Sequence, residues 1–593
     1  MKPISENISP RKILFVGEKP GPDEVRRQRP LVGPSGMEFD RMLAEAGLQR
    51  SDAAITNVAH EEIGGSPFYK AQEAKMLGRE KVLGKYPVYG IIRGLDMLPK
   101  IVEQVQPNII VPLGDIALWA FLGQSGITKW RGSVLEINYY GKNYKVLPTF
   151  NPAAILKQWP WRWIMVQDLR RVAAEKDFPE VRRRGAEKHV RPTIDDALQL
   201  LDSIKGKTVA ADIETRAGQI SCVGFAPSKE FGFCIPFMSI EHDYGYWSYE
   251  EELQVTLKMK EVLTHPDTKT IWHNGLYDCQ YFAKQWGYLP NPSHDTMLMH
   301  HVAFPGMQKS LYFISSLYCD YYVYWKDDGK EWDPRIHNEE QHWLYNVDDC
   351  LYTFECWEVL TKTLKYFNLT EQYNFQMRLF RPVLKMMLRG VNIDQRFKNW
   401  LNGVLMRQMQ SRAEFLEKSV GHELNPDNHD QIKRLLYKDF RVPVIKDKKT
   451  GQPTTNDEAL DKIKEKQPFL RPLCQTLQES RSLRVFRSTF AEAPLSEDGR
   501  MRSSINICGT ETLRFSMSKD AFGSGANLQT IPKGAELPKF LKNITDNTQV
   551  EVDLDMMMAR HPKYGEVALD EADPDGVVAT VRKWVKDDEK GAA

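Results

Sequence analysis

The chain predicts an α/β multidomain protein, and three observations carry that expectation. At 593 residues it is too long for one hydrophobic core, so roughly three to five domains are expected. Strand-like apolar runs at Ile13 to Val16 and Ile109 to Pro112, each ending in a Gly/Pro turn, are separated by helical text, the pattern of an α/β layer. A second unit of the same kind opens with Thr208 to Ile213 and Ile220 to Phe225 and closes in helical text from Tyr345 to Thr363.

Between the two units, residues 178–192 are rich in Pro and Arg and have no apolar period. They read as a linker whose three successive arginines, Arg182 to Arg184, are solvated. From about 366 the sequence becomes helical, notably at Arg378 to Leu388 and Gln475 to Phe490. It then passes a Gly/Asn-rich loop between Cys508 and Pro532 and reaches the β-like Val550 and Val552. The expected division is 1–178, a linker at 179–192, 193–365, 366–560 and a tail at 561–593, whose polar, acidic end suits a surface helix.

A composition of 42% hydrophobic and 27% charged residues belongs to a globular protein and excludes disorder as the default. The net charge of +1 excludes a general positive field, so a nucleic-acid partner has to be held by local basic patches and metals. All eight cysteines lie at or after Cys222, with no C-x-x-C pair and no secretory h-region, which points to a reducing cytoplasm. No membrane-spanning run is found, so no membrane partner is expected.

The middle unit carries the densest chemistry. In V-A-A-D-I-E-T, Asp212 and Glu214 stand two apart on an expected strand, so both side chains leave the same face. H-N-G-L-Y-D follows with Asp278, and Y-N-V-D-D places Tyr345 and Asp349 four apart on one helical face. Four carboxylates and a phenol suit phosphodiester hydrolysis by two Mg²⁺ (or Mn²⁺) ions, which prefer oxygen ligands. The phenol would orient the attacking water. Cys350 and Cys356 read as core residues, because thiolates are poor magnesium ligands.

The ordered set D-I-E-T, N-x-x-x-D and Y-x-x-x-D resembles the three motifs of DnaQ-like 3′–5′ proofreading exonucleases, which have an RNase H-like fold. The resemblance implies that Asp212, Glu214, Asp278 and Asp349 hold the metals, that Tyr345 positions water, and that the substrate is a single-stranded DNA 3′ end. Asp295 in H-D-T-M-L also matches a family position and reads as structural.

The first 150 residues contain, in order, Gly17 to Gly21 with Glu18, Arg29 to Gly33, Ser35-Gly36, Thr56-Asn57-Val58, Gly114, Arg131-Gly132 and Asn151-Pro152-Ala153. This order resembles the uracil-DNA glycosylase superfamily, with its α/β/α fold. The resemblance implies that Asn57 reads a flipped uracil, Glu18 handles the water and Asn151 stabilises the leaving base. Leu31 stands where the four-iron branch has Phe, and Asn151 where it has His. The absence of cysteine before Cys222 excludes that branch's iron-sulfur cluster.

Towards the C-terminus, P-T-T-N-D-E-A-L from Pro453, R-S-L-R-V-F-R-S-T-F from Arg481, T-E-T-L-R-F-S, N-L-Q-T-I-P and V-E-V-D-L-D-M-M-M-A-R resemble family A DNA polymerases. The resemblance implies a mostly helical thumb and the start of a palm. Arg514, Asn527 and Gln529 would contact the primer–template minor groove, and Asp553 would be a palm metal ligand beside Arg560. Met558 replaces the usual Glu, and no fingers helix or second palm carboxylate is recognised after His561.

The expectation is therefore an incomplete palm, from a gene interrupted by an intron, an intein or a split. A second chain would carry the rest of palm and fingers. Combined with the glycosylase-like domain, this resembles large bacteriophage replication enzymes acting in the cytoplasm of an infected bacterium. Two alternatives stay open at this point. One is a free-standing 3′–5′ exonuclease whose polymerase remnant holds DNA. The other is a uracil-DNA repair or sensing protein.

Overall fold

The computed structural model describes residues 3–242, 244–448 and 450–531, with the backbone of three later strands, Glu551–Asp553, Met558–His561 and Gly565–Ala568. The chain divides into two compact units, Met1–Arg378 and Leu379–Ala593.

The first unit contains two sheets. In the first, β1 (Ile13–Gly17), β2 (Ala53–Asn57), β3 (Ile109–Pro112), β4 (Leu135–Tyr139) and β5 (Lys142–Val146) take the order β2-β1-β3-β5-β4. All pairings are parallel except the β4–β5 hairpin. Every residue of β1, β2 and β3 is buried, which explains their continuous apolar text: a parallel strand covered on both faces has no polar side. Cover comes in part from the helix Tyr89–Val105, which contributes Ile91, Leu98, Ile101 and Val102 to the core, and from Asp115–Leu122, apolar around its whole circumference.

The second sheet comprises β6 (Glu187–His189), β7 (Thr208–Arg216), β8 (Gln219–Ala226), β9 (Phe231–Pro236), β10 (Lys269–Trp272) and β11 (Pro292–Asp295), in the order β11-β10-β7-β8-β9-β6. The meander β7-β8-β9 is antiparallel, whereas β10 runs parallel to β7. The long helix Glu339–Tyr366 lies on it, burying Trp343, Val347, Cys350, Leu351 and Phe354 against β-strand residues Ala210, Cys222 and Cys234. Gly224, the register partner of Asp212, permits that approach. A Cβ there would stand 2.4 Å from Asn346 Oδ1 and 2.8 Å from Cys350 Sγ.

Residues 181–186 are irregular, and Arg182 and Arg183 are exposed as expected of a linker, but all three arginines are tied down by specific bonds. Arg182 pairs with Glu175 at 2.7 Å, Arg183 donates to the Val134 carbonyl at 2.7 Å, and Arg184 pairs with Glu355 while stacking over Tyr352. Buried Lys145 adds bonds to the carbonyls of Glu175, Phe178 and Glu180. The stretch lacks an apolar period because its order comes from guanidinium–carboxylate and guanidinium–carbonyl bonds, which leave no hydrophobic pattern.

In the second unit, helices Gln395–Val420, Asp457–Lys466 and Arg471–Phe486 contribute to a core of Leu416, Ile432, Leu436, Leu460, Ile463 and Leu477. A hairpin pairs Ser504–Asn506 with Ser516–Ser518. Glu551–Asp553, Met558–His561 and Gly565–Ala568 form an antiparallel three-stranded sheet. The side chains of Asp553 and Arg560, Met556, and residues 569–593 with the expected surface helix lie outside the described residues. Among the described residues no helix is long and apolar enough to cross a membrane.

Candidate active site

Asp212 and Glu214 project together from the centre of the second sheet, on β7, and Asp349 reaches them from the helix above. The ligand oxygens of these three carboxylates lie within 4.8 Å of one another. Asp278, from the helix Leu276–Trp286, stands beside them but outside that group, its Oδ1 accepting the Ile213 N–H at 3.2 Å. Asp295 is structural in position: it accepts from Met297 N and Leu298 N as a helix cap and from Gly275 N at 2.9 Å. It thereby fixes the loop that launches the Asp278 helix.

The electrostatics show crowded negative charge. Burial and the neighbouring Asp349 push the Asp212 carboxyl up to about 8, and burial with Asp212 and Asp349 holds Glu214 well above the usual carboxylate range. Asp278 is raised by burial and then by Asp212. An all-oxygen donor set that repels itself fits hard divalent cations such as Mg²⁺.

A carboxyl whose folded pKa exceeds its unfolded value binds its proton more tightly in the fold. Its contribution is present below the unfolded value of 3.8 and is lost as pH rises through about 8. Chelated protein is therefore expected to melt at progressively lower temperature between pH 5 and 9, and Asp212→Asn to flatten that fall. A calorimetric pH series in chelator checks it, and an equal slope in both proteins would refute the repulsion.

Three participants gave no sequence signal of their own. Asn346 donates through Nδ2 to Asp212 Oδ2 at 2.9 Å. Trp325 Nε1 donates to Asp349 Oδ1 at 2.7 Å, and Lys326 Nζ donates to Asp349 Oδ2 and to the Tyr345 hydroxyl, the latter at 2.9 Å. Burial works against the Lys326 charge, but Asp349, Asp212 and Glu214 outweigh it and hold its pKa above the usual lysine value. Only Asn346, adjacent to Tyr345, sits within a recognisable motif.

The N-terminal candidates also converge, at the carboxyl ends of β1, β2 and β3, where open α/β sheets bind ligands. Glu18 Oε1 accepts from Ile116 N at 3.2 Å, and its carboxyl is raised mainly by burial. A Cβ on Gly114 would meet both Glu18 Oε1 and Asn151 Cβ. Asn151 caps its short helix through Ala153 N at 2.9 Å. Asn57 is buried, and its Nδ2 has no partner among the described residues. In the second unit, Asn527 Oδ1 accepts from Gln529 N at 3.0 Å. The Gln529 amide donates to the Phe515 carbonyl at 3.0 Å, which ties Asn527 and Gln529 to the residue after exposed Arg514.

Comparison with known proteins gives these arrangements their class. Residues 6–170 match the uracil DNA glycosylase superfamily, 193–365 the 3'-5' exonuclease family and 398–555 DNA polymerase family A. The type-4 uracil-DNA glycosylase of Archaeoglobus fulgidus is 33% identical over 150 residues, 24% of this chain and 67% of that protein. Through its N-terminal domain the chain belongs to the uracil-DNA glycosylase superfamily, and it joins that domain to an exonuclease and a family A polymerase domain.

The DNA polymerase of Bacillus phage SP01 is 21% identical over 626 aligned residues, covering 89% of this chain. The chain spans 63% of that polymerase's length. The thermostable DNA polymerase I of Thermus thermophilus is 28% identical over 160 residues, 26% of this chain and 18% of that protein.

Proposed function

We propose that the chain serves DNA replication and that its middle domain removes nucleotides from DNA 3′ ends. The observation that carries this is the meeting of Asp212, Glu214 and Asp349 within 4.8 Å, with Tyr345 one helical turn before Asp349. Two Mg²⁺ or Mn²⁺ ions, when bound, would acidify a water and offset charge on the leaving oxygen. Asp212, Glu214 and Asp349 would hold them, with Asp278 completing the set. The Tyr345 hydroxyl, steadied by Lys326, would aim the water.

Arg514, Asn527 and Gln529 would hold primer–template DNA in the minor groove, and Asp553 would serve a palm metal. The setting is the cytoplasm of an infected bacterium. A primer labelled at its 5′ end, incubated with Mg²⁺ and with or without dNTPs, tests this. A ladder of shortened products supports the reading, and a primer left intact under both conditions overturns it.

The unpartnered Nδ2 of buried Asn57 favours a second role, holding uracil-containing DNA. Burial raises the Glu18 carboxyl above its ordinary value beside that pocket. Uracil-containing strands are expected to bind more tightly than their thymine counterparts. Asn57→Ala should erase the preference in a filter-binding assay.

A further inference from the structure

The exonuclease cluster receives two contacts from a segment that the N-terminal domain grips. Residues 322–327 cross between the domains, and the loop 129–134 of the N-terminal domain holds them at four points. Val134 N donates to the Tyr322 carbonyl at 3.1 Å, and Tyr324 N donates to Ser133 Oγ at 3.1 Å. Lys129 pairs with Asp327 at 3.3 Å, and the Trp130 and Tyr324 rings pack 5.3 Å apart. Tyr322, Tyr324 and Trp325 are buried, so the segment is fixed in place.

The two residues between the gripped points turn the other way. Trp325 and Lys326 take both oxygens of Asp349, and Lys326 also takes the Tyr345 hydroxyl. The short helix that follows, Lys326–Glu331, comes so close to Tyr345 that a Cβ on Gly329 would lie 2.6 Å from its ring.

We infer that the N-terminal glycosylase-like domain positions the exonuclease centre through the strap 322–327, with Lys326 as the positioning residue for Tyr345 and Asp349. This rests on the exonuclease reading of that site. Lys326 does two separable things. Its ammonium offsets charge on a carboxylate that would ligate a metal, and its donated bond fixes the phenol that would aim the water. The first weakens cation binding and the second raises turnover, so removing Lys326 moves the two in opposite directions.

The test uses the full chain and two readouts: Mn²⁺ affinity without DNA, by electron paramagnetic resonance, and kcat and KM for a labelled single strand. Lys326→Ala should bind Mn²⁺ more tightly and lose about 10- to 100-fold in kcat with KM little changed, the range seen when a partner behind a metal ligand is removed. Lys326→Arg should restore the wild-type Mn²⁺ affinity and recover kcat only in part, because the guanidinium keeps the charge but not the point geometry.

Ser133→Ala, in the other domain, should shift both readouts in the same directions by about threefold, and the Ser133→Ala, Lys326→Ala double variant should be no worse than Lys326→Ala alone. Asp327→Ala, which cuts both the Lys129 contact and the 3.0 Å bond from the Tyr324 hydroxyl, repeats the Ser133 test from the strap's own side.

Unchanged Mn²⁺ affinity in Lys326→Ala would overturn the role given to Lys326. Wild-type behaviour of both Ser133→Ala and Asp327→Ala, or losses that multiply in the double variant, would overturn the coupling. Loss of activity in Asp212→Ala alongside those results would show that the exonuclease reading survives while this inference fails. Full activity in Asp212→Ala would remove the reading itself.

Discussion

Replacing Asp212 with alanine is expected to lower 3′-end hydrolysis by about a thousandfold or more, because a shared metal ligand supplies several kcal/mol of transition-state stabilisation and each 1.4 kcal/mol is tenfold. Asp212 sits at the centre of the cluster: it repels Glu214 and Asp278, faces Asp349 and takes the Asn346 bond. Glu214→Gln should be nearly as damaging. Tyr345→Phe should cost less, since it removes an orienting hydroxyl and leaves the carboxylates intact. Single-turnover degradation of an end-labelled strand gives all three, and hydrolysis by Asp212→Ala within tenfold of wild type would remove the assignment.

The second large effect is expected far from chemistry. Arg131 is fully buried and forms a bidentate pair with buried Asp168, whose Oδ2 also accepts from Thr149 at 2.7 Å, while Arg131 Nη1 donates to Ser316 Oγ at 2.6 Å across the domain boundary. Arg131→Ala strands the carboxylate in the interior and should cost about 3–5 kcal/mol. Arg131→Met combined with Asp168→Leu should recover part of that loss, because the stranded carboxylate is gone, whereas Arg171 loses its attraction to Asp168 and keeps only the carbonyls of Gly132, Ser316 and Cys319. Thermal unfolding of the wild type and the two variants checks it. A double variant less stable than Arg131→Ala would contradict the account.

Most of the first unit was legible in sequence for definite reasons. Doubly covered strands such as Ile109–Pro112 read as unbroken apolar runs, and the D-x-E alternation fixed a face of β7. The helix expected over Gln475 to Phe490 ends regularly at Phe486 and continues as a wider π-type turn from Arg487 to Ala491, a change that periodicity does not register. Contacts made over long separations left no trace. Lys326 stands in a polar W-K-D-D stretch that looks like solvated surface, and its importance comes from the chain folding it back onto Tyr345, 19 positions on. Arg131-Gly132 was visible as a glycosylase-like motif, but not as a seam against Ser316.

The pinned stretch after the N-terminal domain has a consequence in entropy. Lys145, Arg182 and Arg183 tie this stretch to the N-terminal domain and Arg184 ties it to Glu355 over the second sheet, so the cost of the two sheets' mutual orientation is met once, during folding. A DNA strand lying on one domain then meets the other at a fixed span, with no search by a tethered partner. The effective concentration is therefore set by geometry and not by linker length. Glycine-serine insertions after Phe178 would convert that fixed span into a distribution, and affinity for DNA long enough to touch both domains would fall with insertion length while that for short strands stayed constant.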